Sequence, residues 1–179
     1  MPETSPKHGA AILRDMDISD LDRLDADGAR DVVAAWAAVP RWVDAVLDGR
    51  PYDSVDDLAA TADRLARTWT DAEVAAALAD HPRIGDRPVG TGASAAASRV
   101  EQSSSSGADA PTAAAIRAGN AAYEARFDRV FLVRAAGRSA AEILVELERR
   151  LENDDATERA EVADELRAIA LLRLERTFA

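Results

Sequence analysis

Apolar residues recur along most of this chain at helical spacing rather than in alternation. In "SVDDLAATADRLARTW", Val55, Leu58, Ala62 and Leu65 fall three or four residues apart and mark one apolar face of a helix. The final segment, from about 156 to 177, repeats the pattern with Val162, Leu166 and Ile169. Start and stop signals frame the elements between. Thr70 with Glu73, and Ser139 with Glu142, form capping boxes that open "DAEVAAALA" and "AAEILVELERRLE". Ser54 opens its own helix, and Ser19 is the expected cap of "SDLDRL". "GARDVVAAWAA" (28–38) is stopped by Pro40, and "RWVDAVLDG" ends at Gly49 with Pro51 beyond. Pro111 suits the first turn of "TAAAIRAGNAAYEARF", and a further helix is expected over roughly 93–103 between two loops. The short apolar run "RVFLV" (129–133) has no partner strand, so it reads as a buried connection rather than part of a sheet. These elements predict an all-α fold, a single compact domain of about eight helices over residues 16–179. Residues 1–15 read as a flexible lead-in in which His8 is an exposed tail residue.

Composition narrows the class. The chain has 179 residues, enough for one domain with a true core; 47% are hydrophobic, 31% charged and 4% aromatic, and much of the apolar share is alanine, the strongest helix former. A net charge of −11 disfavours a general nucleic-acid binder but leaves room for a local basic pocket. With no cysteine, disulfides, thiolate chemistry, Cys-ligated zinc and iron–sulfur clusters are excluded. No apolar run reaches membrane-spanning length, and "MPETSPKHGAAILRDMD" has no secretory pattern, so a soluble cytoplasmic protein is expected. Nothing in the spacing of the histidines and carboxylates points to a metal.

Three residues stand out chemically. His81 follows a helix that must stop before Pro82, because the residue before proline is pushed out of helical geometry. Its pKa range suits proton transfer. An equally simple role is capping the carbonyls of the helix before it. Glu101 completes a capping box with Ser98, or, if the helix has already begun at the preceding alanines, shares one helix face with Ser98 and Gln102 as a polar site or a solvated face. Arg173 falls near the centre of the Val162, Leu166, Ile169 stripe. A guanidinium aimed at a core must find an anion or polar partners, whether a ligand carboxylate or a structural salt bridge, unless it snorkels out at the helix end. Arg83 and Arg138 read as loop and turn residues. "GDRPVGTG" lacks the strand-to-helix context of a phosphate loop.

Taken together, "HPRIG", "SRVEQ", "YEARFDRVFLVRAAGRS" and "LERRLENDDATERAEVADELRAIALLRL" resemble the 2-oxo-4-hydroxy-4-carboxy-5-ureidoimidazoline (OHCU) decarboxylase family, over roughly residues 16–178. Each motif alone is weak; the HP and SxxEQ motifs, their separation and the C-terminal "IALLRL" are jointly specific. The resemblance implies an all-helical, cofactor-independent enzyme of urate catabolism, a homodimer, that converts a small anionic ureidoimidazoline to (S)-allantoin and CO₂. It also implies that His81 is the catalytic histidine, Glu101 its acidic partner and Arg173 the substrate-binding arginine. Pro82, Ser98 and Gln102 match pocket-lining positions, and the segment around Leu132 and Val133 is expected to contact the substrate ring through apolar or backbone groups. Where the family shows an FGFPF-like segment this chain has "FDRVF" (127–131), which puts the pocket wall there in question. A non-enzymatic acidic interaction or regulatory protein would explain the charge and the helices but leaves His81, Glu101 and Arg173 to coincidence. A family member with an altered substrate is the third reading.

Overall fold

The computed structural model describes residues 16–79, 81–85 and 108–179. The lead-in 1–15 and the helix expected over 93–103 lie outside these residues. Among these residues eight helices follow in chain order: α1 (Ile18–Arg23), α2 (Ala26–Trp36), α3 (Pro40–Asp48), α4 (Val55–Ala66), α5 (Asp71–Leu78), α6 (Ala110–Phe127), α7 (Ala140–Arg150) and α8 (Asp155–Thr177). There is no strand among the described residues, and "RVFLV" is an irregular connection whose Phe131, Leu132 and Val133 are all buried.

Local capping chemistry sets most boundaries. Both expected boxes are present, with Thr70 opening α5 and Ser139 opening α7. Ser54 accepts the Asp57 N–H at 3.1 Å, and Pro40 and Pro111 both sit in first turns, where a missing N–H costs nothing. Two starts differ from the sequence reading. Asp17, not Ser19, caps α1: its N–H reaches the Asp20 carboxylate at 3.0 Å, so the reciprocal contact is an Asp–Asp pair one register earlier. In α2, Asp25 accepts the Gly28 N–H at 2.8 Å, which draws the helix start back to Ala26. At the other end of α6, Asp128 takes up φ +52°, and its N–H closes on the Glu124 carbonyl at 2.9 Å. Aspartate is among the few non-glycine residues that adopt this left-handed conformation readily.

Helix α8 organises the packing. Its 23 residues span about 34 Å at 1.5 Å per residue, and it packs against α2, α4 and α5. The stripe of Val162, Leu166, Ile169, Ala170 and Leu174 is buried there with Trp36 and Trp42. Both tryptophans are therefore core residues; their indole N–H groups donate to Thr177 Oγ1 at 2.9 Å and to the Ala62 carbonyl at 3.0 Å. A second cluster forms where α6 packs on α7. The two helices approach so closely that a Cβ placed on Gly119 would lie 2.5 Å from Leu147 Cδ2. The 128–139 connection joins the clusters: Leu132 belongs to the α8 core, while Phe131 and Val133 belong to the α6–α7 core.

Candidate active site

Helix α5 ends at Leu78, two residues ahead of the part of the chain that Pro82 keeps out of helical geometry. His81 folds back over that end. Its N–H donates to the Leu78 carbonyl at 2.9 Å, and Nδ1 lies 3.2 Å from the Ala77 carbonyl. A carbonyl only accepts, so Nδ1 carries the hydrogen and the basic lone pair belongs to Nε2. The capping role and a proton-transfer role thus use different nitrogens of one ring. His81 and Pro82 are both half-buried. The chain beyond them is tied to α6: Asn120 donates to the Ile84 carbonyl at 2.9 Å, and Arg83 grips Glu124 through two contacts of 2.5 and 2.8 Å. The Arg83 hydrogen bond holds the Glu124 carboxyl below its usual range. Arg83 is therefore an anchor for the loop that carries His81.

Arg173 is 5% exposed on the buried stripe of α8, and its Nη1 donates to the Ala35 carbonyl of α2 at 3.3 Å. One turn on, Thr177 Oγ1 donates to the Arg173 carbonyl at 2.9 Å while accepting from Trp36. The helical-face argument for a core-directed guanidinium is matched by this burial.

The Leu132–Val133 strap runs between these two regions. Leu132 shares its cluster with Leu78 of α5 and Ile169 of α8, and Val133 shares its cluster with Ile84 of the His81 loop. Backbone groups of the strap are held by charged side chains. The Leu132 carbonyl accepts from Arg150 Nη1 at 2.6 Å, and the Arg134 N–H donates to Glu165 Oε2 at 2.6 Å. Arg150 is fully buried and paired with Glu158, also fully buried. Glu158 in turn accepts from the Tyr123 hydroxyl and from Asn153 Nδ2, the latter at 2.8 Å. Burial first, then the hydrogen bond to Glu158, pushes the Tyr123 phenol pKa up. Burial opposes the Arg150 charge, but the Glu158 hydrogen bond and field outweigh it and raise its pKa. Arg150, Glu158, Tyr123 and Asn153 were not singled out from the sequence. Ser98, Glu101 and Gln102 lie outside the described residues, so the structure does not bear on the His81–Glu101 pairing; among the described residues the strap shares clusters with Leu78 and Ile169 through Leu132 and with Ile84 through Val133.

A cavity of about 500 Å³ opens beside this region, between α5, the end of α6 and α8. Val74, Leu78 and Val162 give it apolar walls, and Phe127, Asp128, Arg129 and Val130 close one side. The "FDRVF" departure thus forms a wall of this cavity. It shares Leu78 and Ala79 with the end of α5 that carries His81, but neither His81 nor Arg173 is among its lining residues. The charges at its rim are matched in pairs: Arg129 with Asp155 at 2.5 Å, and Arg159 with both Asp155 and Asp71, the last at 3.6 Å. Such matched charges give no net pull on an anion.

Comparisons with known proteins bear on the fold and the family. The sequence profile of the OHCU decarboxylase family matches residues 22–175. A 2-oxo-4-hydroxy-4-carboxy-5-ureidoimidazoline decarboxylase of Amia calva is 34% identical over 133 residues, 73% of this chain and 76% of that one. A protein of the same name from Haloferax volcanii is 27% identical over 168 residues, 93% of this chain and 98% of that one. Among solved structures, an OHCU decarboxylase crystallised in the presence of (S)-allantoin superposes with a TM-score of 0.70 at 23% identity, covering 83% of this chain and 97% of its own. An (S)-allantoin synthase superposes with a TM-score of 0.68 at 12% identity, covering 90% of this chain and 54% of its own. At these identities the structural likeness speaks to the fold.

Proposed function

This chain belongs to the OHCU decarboxylase family, and from that premise we propose that it converts OHCU to (S)-allantoin and CO₂ without a cofactor, with His81 and Glu101 as the catalytic pair and Arg173 as the substrate grip. The observation that carries the reading is the fixed tautomer of His81, Nδ1–H toward the Ala77 carbonyl at 3.2 Å, in a chain matched by the family from residue 22 to 175. In that tautomer Nε2 is the ring nitrogen able to accept a proton.

The substrate's own groups dictate the chemistry. When the C–C bond to the carboxylate breaks, CO₂ leaves and the electron pair remains at the ring carbon. The adjacent C=N takes that pair up and its nitrogen gains a proton from solvent, giving an enol; the enol hydroxyl then loses its proton as the neighbouring carbon gains one, which leaves the ring carbonyl. Delivery to one face fixes the (S) configuration. Arg173 is suited to hold the carboxylate through its planar fork. His81 Nε2 is suited to take the proton of the hydroxyl beside the departing group. Glu101 orients His81 or binds the ring and ureido N–H groups, Ser98 and Gln102 supply neutral hydrogen bonds, Pro82 stiffens the loop, and Leu132 and Val133 line the ring's apolar side.

The test uses OHCU made fresh from urate with uricase and hydroxyisourate hydrolase. Absorbance decay gives the rate and circular dichroism the handedness of the allantoin. The wild-type protein is expected to accelerate decay and yield the (S) product. A folded His81→Asn variant is expected to lose roughly 10²–10⁴-fold in turnover, the usual share of a positioned acid–base group; wild-type turnover in that variant refutes the assignment. An altered substrate is the second reading, favoured by the "FDRVF" wall of the cavity; background-rate OHCU decay would support it instead. The same family reading carries a homodimer in the cytoplasm. Sedimentation velocity tests the dimer, whose interface cannot use Trp36 or Trp42 because both are core residues.

A further inference from the structure

The charged group that this chemistry leaves unused is the Arg150–Glu158 pair. Both side chains are fully buried, and an ion pair sealed from water is often no more stabilising than apolar residues of the same volume. Stability alone therefore does not account for the pair. The distinguishing contact is the 2.6 Å bond from Arg150 Nη1 to the Leu132 carbonyl. The peptide unit is planar and trans, so fixing that carbonyl toward Arg150 turns the Val133 N–H to the opposite side of the strap. The next amide is fixed too, through the 2.6 Å contact of the Arg134 N–H with Glu165. The guanidinium itself has little freedom. Its Nε donates to Glu158 Oε1 at 2.9 Å and its plane sits over the Phe131 ring, 5.0 Å from the centroid. Glu158 is held by Tyr123 and Asn153 in turn.

We infer that Arg150, clamped by Glu158, is a positioning residue that fixes the rotation of the Leu132–Val133 strap against the substrate. The inference rests on the decarboxylase reading above. It acts through the strap and touches no reacting atom. Misplacing a substrate-positioning element by about 1 Å can cost on the order of 10²-fold in rate.

The test replaces the pair as a unit with apolar residues, Arg150→Met together with Glu158→Leu, so that no charge is stranded in the core. OHCU decay is followed over a range of substrate concentrations, with melting by circular dichroism in parallel. The folded double variant is expected to lose about 10- to 100-fold in kcat with KM changed by less than about threefold, and Arg150→Lys, which keeps a cation and a donor opposite Glu158, to recover part of that loss. Wild-type kcat in the folded double variant overturns the inference. Wild-type protein that fails to turn over OHCU overturns the decarboxylase reading itself, and this inference with it. A second measurement holds whether or not the variants fold: exchange of the wild-type Arg134 N–H, held by Glu165, is expected to be as slow as that of α8, and rapid exchange there overturns the claim that the strap is clamped.

Discussion

The close approach of α6 and α7 at Gly119 makes a sharp quantitative test of the packing that supports the strap. A methyl group at residue 119 would sit 2.5 Å from Leu147 Cδ2 and 3.1 Å from its Cγ, well inside van der Waals contact. Leu147 is fully buried, so it must be pushed by about 1 Å into neighbours that already fill the space. Overpacking of this kind costs about 1–3 kcal/mol. Against it stands the helix-propensity gain of alanine over glycine, about 1 kcal/mol. The net expectation for Gly119→Ala is a loss of about 0–2 kcal/mol, or a fall in Tm of up to roughly 8 °C for a chain of this size. Leu147→Ala alone is expected to cost about 2–5 kcal/mol through the cavity it leaves. On that background the methyl no longer meets a side chain, so the propensity gain returns and Gly119→Ala is expected to become stabilising by up to about 1 kcal/mol. The change of sign, read from urea or thermal unfolding of all four members of the cycle, is the signature. If Gly119→Ala stabilises the wild-type background, the contact drawn between α6 and α7 is wrong.

Two further outcomes follow from the site and from the caps. Arg173→Met keeps the apolar stem in the α8 stripe and removes the guanidinium; kcat/KM for OHCU is expected to fall by about 10- to 100-fold, the worth of a charged hydrogen bond, with a melt shifted by only a few degrees. A collapsed melt with unchanged kcat/KM per folded molecule would make Arg173 purely structural. The Glu73 carboxyl is held down at about 2, chiefly by its hydrogen bond from Arg41 and then by the Thr70 N–H. A depressed folded pKa gives stability above the unfolded value of about 4.3 that is lost as pH falls through about 2. Arg41→Ala is therefore expected to move the acid-unfolding midpoint up within that window and to leave stability at pH 7 modestly lower, because the exposed Arg41 is well screened. An acid titration by circular dichroism that superposes on wild type refutes the attribution.

Sequence pattern exposed some of these features and hid others for a common reason. The stripe through Val162, Leu166 and Ile169 pointed to Arg173, and Arg173 is buried. The same reasoning applied to α7 would have found Arg150, which follows Ile143 and Leu147 at i+7 and i+3 on its buried face. Glu158 likewise begins the α8 stripe, one turn before Val162. Both lie in "LERRLENDDATE", where charges are so dense that apolar spacing alone does not single out a buried position. Asn120 was missed in the same way between Ile116 and Tyr123. The "RVFLV" connection was legible because a lone apolar run without a partner strand has no sheet to join. The first helix was set one register off because Asp17 and Ser19 are comparable caps, and only the reciprocal contact with Asp20 chooses between them. His81 could be located by its proline but not assigned a role by periodicity; its pairing with Glu101 rests on family likeness, since the partner segment lies outside the described residues.

Where α8 finishes, the Thr177 carbonyl accepts from the Met16 N–H at 3.1 Å, while its side chain meets Trp36. The described fold therefore begins and closes at one joint, not at two remote tails. Chain order could be rewired there by a short bridge, with new ends opened at the exposed Gly137, where nothing lies within 4 Å of an added methyl.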